Sequence, residues 1–218
     1  MRAERSGVSQ SIARGLRREI ITGKRAPGAP LRQDQIAAEY RASHVPVREA
    51  LQALQSEGLV LYLPRKGASV APISRADILD VIDMRTELEG LAFRRALENG
   101  EAEAFDRDGA GAQITASENS DDPDIWVAAN WAFHRLLYAA CQRPRLIQAI
   151  EELWLPSERY LRMVWERLDW QMRSQTEHKE LLALAANNDI EGAVRLLKHH
   201  IRSAGQGLLA LLTDLQTH

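Results

Sequence analysis

Three histidines of this chain have the spacing and surroundings of candidate metal ligands. His134, His178 and His200 each fall on the apolar side of a different predicted helix, where an unpartnered imidazole is costly. Asn130 precedes His134 by one helical turn, so both side chains project in the same direction. Three imidazole nitrogens and one side-chain oxygen suit Zn²⁺, Ni²⁺ or a similar borderline ion. The pattern predicts one divalent ion, zinc or nickel, and the alternative is three separate core histidines that each bond a backbone carbonyl.

Arg85 is a candidate ligand-binding residue in the same part of the chain. It shares the inward stripe of an earlier predicted helix with Ile78, Ile82 and Glu89. Its guanidinium could pair internally with Glu89, or it could clamp the carboxylate of a ligand. Open coordination positions on the metal ion could take the same carboxylate. The predicted effector is therefore a small organic acid in a pocket between helices.

A second candidate site lies in the basic first third of the chain. Residues 1–73 hold 12 basic against 6 acidic residues, a formal charge of +6, whereas residues 74–218 carry −8 and the whole chain −2. This asymmetry suggests that the first part faces a polyanion. Arg48 lies on the exposed flank of a predicted helix and could present a two-pronged hydrogen bond to guanine. Its alternative role is a surface ion pair with Glu49 or Glu57.

The helices around Arg48 are arranged along the sequence as in a helix-turn-helix. Apolar residues at every fourth position predict a helix over residues 9–22, and a shorter helix follows near residues 36–40. Ser43 is a good N-cap for a third helix, which ends at Gly58. A helix in this position fits the major groove of DNA and meets base edges with its N-terminal residues.

A basic hairpin is predicted directly after the third helix. Two β-prone runs, residues 59–63 and 68–71, flank a turn that contains Arg65, Lys66 and Gly67. The two basic side chains at the tip can reach the minor groove or the phosphates. Three helices followed by a basic hairpin predict a winged helix-turn-helix domain over residues 1–73.

The rest of the chain, residues 74–218, is predicted to be a helical domain. The predicted helices are 75–99, 101–117, 121–142, 143–154, 156–171, 173–187 and 190–213. Antiparallel helices of these lengths form a bundle with a sizeable core, so the predicted fold class is mainly α.

Composition excludes several classes of protein. Cys141 is the only cysteine, so the chain has no intrachain disulfide framework. No apolar run approaches the ~18 residues of a membrane span. The N-terminal segment lacks the apolar stretch of a signal peptide, which makes the reducing cytoplasm the expected location.

The first domain resembles the DNA-binding domain of GntR-type bacterial transcription regulators. The resemblance rests on the run from Pro46 to Leu51, on Glu57 to Val60 and on Gly67 of the hairpin. It departs from the family pattern at Arg41, where glycine is usual, and at His44, where arginine is usual. The resemblance implies DNA contacts from Arg32, Ser43, His44, Arg48, Lys66 and Gly67.

The helical domain resembles the FCD domain of the FadR subgroup of these regulators. The residues that carry this resemblance are Asp83 to Arg85, Leu88-Glu89, Asn130 to His134, Glu177-His178 and His200-Ile201. It implies a divalent metal held by His134, His178 and His200, with an aspartate in the usual family sequence where Asn130 stands. Asparagine is a neutral and weaker oxygen donor than aspartate.

Together these features predict a DNA-binding transcription regulator, a repressor, that acts as a homodimer on a palindromic operator. A small organic acid bound in the metal-containing domain would control operator affinity. One alternative is a metal-dependent hydrolase or lyase in which the three-histidine ion activates water. Another is a metal sensor, in which the ion itself is the signal.

Overall fold

The chain divides into two compact units, Met1–Ser74 and Arg75–His218. The computed structural model describes residues 2–63, 67–99, 106–164 and 168–216. The predicted DNA contacts Arg65 and Lys66 lie outside the described residues, as does the beginning of the helix expected at residues 101–117.

Helices and a small sheet form the first unit. Its described elements are α1 Arg2–Ile21, β1 Pro30–Leu31, α2 Gln33–Glu39, α3 His44–Ser56, β2 Val60–Leu63 and β3 Gly67–Val70. Helix α1 starts earlier than the apolar pattern predicts, and strand β1 was not predicted because two residues carry no readable periodicity.

The core of the first unit lies where α1 packs against α3. The apolar positions that recur along α1, among them Leu16 and Ile20, are buried. They meet the buried face of α3, which includes Val47, Leu51 and Leu54. Burial of this face leaves the opposite flank of α3 in solvent.

The sheet is antiparallel with strand order β1-β3-β2. Strands β2 and β3 form the predicted hairpin, with Val60 opposite Val70 and Leu63 opposite Gly67. Gly67 starts β3 at φ 77°, a backbone conformation that favours glycine. The hairpin is the wing expected after a helix-turn-helix.

Six described helices build the second unit, in agreement with the predicted helical domain. They are α4 Arg75–Glu98, α5 Arg107–Glu118, α6 Pro123–Tyr138, α7 Pro144–Val164, α8 Leu168–Ala186 and α9 Ile190–Gln216.

The helix boundaries after residue 143 differ from the prediction. Helix α7 continues through Pro156, where the sequence pattern predicted a break. Proline removes one helical hydrogen bond, yet Ile150, Trp154 and Leu161 on both sides of it are buried. Tertiary packing therefore holds one long helix across the proline. Helix α8 begins at Leu168 rather than at residue 173.

The core of the second unit joins helices that are distant in sequence. Helix α4 packs against α6, α7 and α9, and α8 packs against both α5 and α9. Phe93 of α4, Phe133 of α6, Leu181 of α8 and Leu197 of α9 belong to one buried cluster. In the described part of the chain, no helix combines the length and apolarity that crossing a membrane requires.

Candidate metal and ligand pocket, and the DNA-facing surface

The three predicted histidine ligands meet inside the second unit. His134 projects from α6, His178 from α8 and His200 from α9, and all three are buried. One ligand nitrogen from each ring lies within 4.8 Å of those of the other two. His178 Nε2 and His200 Nε2 are 3.2 Å apart. Two nitrogens on a tetrahedral ion at ~2.0–2.1 Å are about 3.3 Å apart, so this pair has the spacing of metal ligands.

Two carboxylates, the buried Glu89 and the half-buried Glu177, orient the histidine rings. Glu89 Oε2 lies 2.8 Å from Nδ1 of His134, and Glu177 Oε2 lies 2.7 Å from Nδ1 of His200. An ionised carboxylate only accepts hydrogen bonds, so Nδ1 donates in both rings and Nε2 keeps its lone pair. This carboxylate–histidine arrangement is the usual support of a metal ligand.

The sequence pattern does not predict these two supporting roles. It indicates Glu89 as a possible ion-pair partner of Arg85, and it places Glu177 next to His178 in the chain. Adjacent residues on a helix point in different directions, which is why Glu177 reaches His200 of α9 rather than His178.

His134 and His178 are in the protonation state that binds metal. Burial lowers the pKa of His134 to about 4, although Glu89 acts in the opposite direction. Burial also lowers the pKa of His178 well below its ordinary value, and the neighbouring imidazoles act in the same sense. Both rings are therefore neutral near pH 7, with lone pairs available for an ion. Phe133 stacks on the His178 ring at a centroid distance of 4.1 Å and limits its rotation.

Arg85 forms the internal ion pair that was one of its two predicted roles. Its Nε donates to Glu89 Oε1 at 2.7 Å, and its guanidinium carbon lies 4.5 Å from the centre of the Trp154 ring. Burial alone would raise the pKa of Glu89, but Arg85 and His134 lower it to about 2. Within the described residues no hydrogen bond takes the two terminal nitrogens of Arg85, so the second predicted role stays open to it.

Arg85, Asn130, His134 and His200 line a cavity with an otherwise mostly apolar wall. The volume of this cavity is about 30 Å³. Asn130 is only 4% exposed, and its Oδ1 has no hydrogen-bond partner among the described residues. A buried amide oxygen without a partner is costly, and a bound cation or its water would satisfy it.

The residues present thus fit a divalent ion in their chemistry. Three buried imidazoles converge, and carboxylates hydrogen-bond two of them from behind. Asn130, whose amide oxygen has no hydrogen-bond partner among the described residues, lines the cavity together with His134 and His200. These observations favour one shared site over three separate core histidines.

The predicted DNA contacts that the structure describes lie on the solvent-exposed surface of the first unit. His44, Val45 and Arg48 occupy the exposed flank of α3, and Arg32 is exposed at the start of α2. The side chain of His44 is 63% exposed, and its Nδ1 lies 3.6 Å from Asp34 Oδ1. This flank has the form of a recognition surface for the major groove.

Ser43 takes the predicted N-cap position of α3 but does not cap it with its side chain. Its backbone is extended, at φ −78° and ψ 168°, and its hydroxyl makes no capping hydrogen bond. The backbone N–H groups of His44 and Val45 at the start of α3 therefore donate no hydrogen bond to this side chain. Such a helix start suits a phosphate oxygen.

Glu57, one of the two predicted ion-pair partners of Arg48, pairs with Arg17 instead. Glu57 accepts hydrogen bonds from Arg17 of α1, including one from Nε at 2.8 Å, so Arg17 and not Arg48 neutralises it. No ion pair between Arg48 and Glu49 occurs among the described residues. Arg48 therefore keeps its guanidinium at the exposed flank.

Both units match models of known protein families. Residues 8–70 match the model described as bacterial regulatory proteins, gntR family, and residues 80–203 match the FCD domain. The second match covers more than half of the chain and includes every predicted ligand of the histidine site.

Full-length comparisons agree with these matches. The chain is 29% identical to the HTH-type transcriptional repressor GlaR of Escherichia coli (strain K12), over 86% of this chain and 90% of that protein. It is 31% identical to the uncharacterized HTH-type transcriptional regulator BphR of Paraburkholderia xenovorans (strain LB400), over 87% and 80%.

A solved structure supports the same assignment. A GntR-family transcriptional regulator from Pseudomonas syringae pv. tomato str. DC3000 is 32% identical, with a TM-score of 0.56 over 95% of this chain and 88% of that one. These relatives are transcription regulators and not enzymes, so the prediction of a regulator is confirmed against that of a hydrolase or lyase.

Proposed function

Because the chain belongs to the GntR family of bacterial transcription regulators and carries an FCD domain, we propose that it is a repressor controlled by a small organic acid. The acid binds together with a divalent metal ion in the pocket of the second unit. The observation that carries this proposal is the convergence of three buried histidines beside Arg85 and an amide oxygen without a hydrogen-bond partner among the described residues.

The first unit supplies operator binding in this proposal. Helix α3 enters the major groove, where Arg48 reads guanine through two hydrogen bonds and His44 meets a neighbouring base edge. Arg32, Ser43 and the wing residues Arg65, Lys66 and Gly67 position the unit on the phosphates.

The protein acts as a homodimer on a palindromic operator in the cytoplasm, since one winged helix reads about one half-site. Met84 and Leu91, exposed apolar side chains seven residues apart on one face of α4, support a partner surface there. Light scattering of the purified protein at micromolar concentration checks this. A monomer that binds the palindrome with full affinity contradicts it.

In the second unit, His134, His178, His200 and Asn130 hold the metal ion. A divalent ion bound there supplies open coordination positions for a carboxylate oxygen. Arg85 lines the same cavity, and in this proposal its terminal nitrogens take the other oxygen of the acid. The mostly apolar wall favours an acid with a short hydrocarbon portion.

Operator affinity measured with and without metal and acid tests the proposal. A palindromic site is first selected from a random DNA library with the full-length protein. A panel of small organic acids should then contain one that weakens binding by zinc-loaded protein at least tenfold. Metal-stripped protein and the His178→Ala variant should bind the site but lose this response, whereas His199→Ala, at an exposed neighbour of the site, should retain it.

Each other outcome selects a different function. If stripping the metal alone changes operator affinity as strongly as any acid does, the protein is a metal sensor. If neither metal nor any acid of the panel changes operator affinity, the proposed control is wrong.

A further inference from the structure

The ligand set of the proposed metal site carries no negative charge. It consists of three imidazoles and the amide of Asn130, and the buried His134 and His178 rings are neutral near pH 7. A divalent ion would therefore bring two positive charges into a buried cavity with no anionic ligand from the described chain. Burial of uncompensated charge is strongly unfavourable.

The two nearby carboxylates are already committed to other partners. Glu89 places one oxygen on Arg85 Nε and the other on His134 Nδ1. Glu177 places one oxygen on His200 Nδ1 and the other on Arg173 Nε, 3.0 Å away. Each carboxylate thus faces an arginine that offsets its charge. Their hydrogen bonds orient the rings and leave no free carboxylate oxygen for the ion.

We propose that this pocket binds its divalent ion and an external carboxylate as a coupled pair, each raising the affinity for the other. The inference rests on the proposed metal-binding function and deepens it. The carboxylate replaces the negative charge that an aspartate at position 130 would provide, and Arg85 lines the cavity where it binds. The site then responds to metal and organic acid jointly rather than to acid on a permanently bound ion.

Two probes of nearly equal shape isolate the charge of the ligand. Acetate carries the carboxylate, and acetamide has the same size without the charge. Both bind zinc weakly in solution, so neither removes the ion from the protein. The zinc affinity of the full-length protein is measured by competition with a fluorescent chelator, at constant ionic strength, in a saturating concentration of each probe.

The parent protein should bind zinc at least tenfold more tightly in acetate than in acetamide. Coupling between two ligands is reciprocal, so zinc should raise acetate affinity by the same factor. The Asn130→Asp variant supplies the missing charge with almost no change in shape. It should bind zinc more tightly than the parent in acetamide and show an acetate effect of less than threefold.

The possible outcomes separate the inference from the function on which it rests. Zinc bound by the parent with equal affinity in acetate and acetamide overturns the coupling and leaves metal binding intact. No zinc binding by the parent in either probe overturns the proposed metal function itself, whatever the Asn130→Asp variant does. The comparison on the parent is decisive even if that variant fails to fold.

Discussion

The two units of this protein place their functional side chains in opposite ways. The predicted DNA contacts that the structure describes in the first unit are exposed and lie within one short stretch of sequence, from Arg32 to Gly67. The pocket of the second unit collects buried side chains from α4, α6, α8 and α9, which span more than 100 residues. A surface site therefore depends on local backbone geometry, whereas the buried site depends on how long helices pack.

The largest effect expected from this difference follows removal of a buried ligand. His134→Ala or His178→Ala should abolish binding of a divalent ion, because only two imidazoles and the neutral amide of Asn130 remain as donors. For protein equilibrated with zinc in acetate, elemental analysis should find about one ion per parent chain and almost none per variant chain. Chelation should lower the melting temperature of the parent, since a ligand present at ~1,000 times its Kd stabilises by about 4 kcal/mol.

The exposed His199 provides the matched control for this test. It neighbours His200 in sequence but lies 60% exposed, with Nε2 at 2.9 Å from an Arg173 nitrogen. His199→Ala should keep its metal and its sensitivity to chelation. A parent protein without metal, whose melting temperature is unchanged by chelators, would leave the three histidines as separate core residues.

A smaller effect is expected from a residue that supports a ligand without touching the ion. Glu177→Gln removes the carboxylate behind His200 and should weaken zinc binding by about 10–100-fold. Glu180→Gln, on the exposed side of the same helix, should leave zinc affinity unchanged. Equal affinities of the two variants would show that the packed helices alone orient the His200 ring.

In the first unit, single substitutions should act on operator affinity and leave the metal site alone. Arg48→Ala should cost about 1–3 kcal/mol on the selected operator and relax discrimination at one base pair. Lys66→Ala should weaken all sequences alike and reduce the slope of log K against log salt by about one unit. Arg95→Ala removes an exposed cation from α4 of the other unit and serves as the control. Unchanged operator affinity in Arg48→Ala would refute the role assigned to the exposed flank of α3.

The two units also differ in how much their sequences predict. The buried face of α3 and the alternation of the wing are local patterns, so periodicity alone indicates the helix-turn-helix and its exposed arginine. The histidines of the second unit were placed on inward faces by the same reasoning. Their supporting carboxylates were not, because the pairing of Glu89 with His134 spans 45 positions of sequence and depends on helix packing. The uninterrupted course of α7 through Pro156 was missed for the same reason: buried neighbours outweigh the local preference.

The smallest expected effect concerns the backbone that sets the start of α3. Arg41 lies in the turn before this helix at φ 49°, where a side chain is strained and glycine is not. Arg41→Gly and Arg41→Ala remove the same cation, so any difference between them reports the backbone alone. We expect the glycine variant to be the more stable of the two by about 1 kcal/mol, because only alanine keeps a Cβ in the left-handed region. Amide hydrogen exchange of α2 and α3 in the full-length protein should show stronger protection with glycine and, at equal salt, tighter operator binding. Equal protection in both variants would mean that the turn relaxes when arginine is lost. The exposed flank of α3 would then depend on more than the local backbone geometry of this turn, and the contrast with the buried pocket would be weaker.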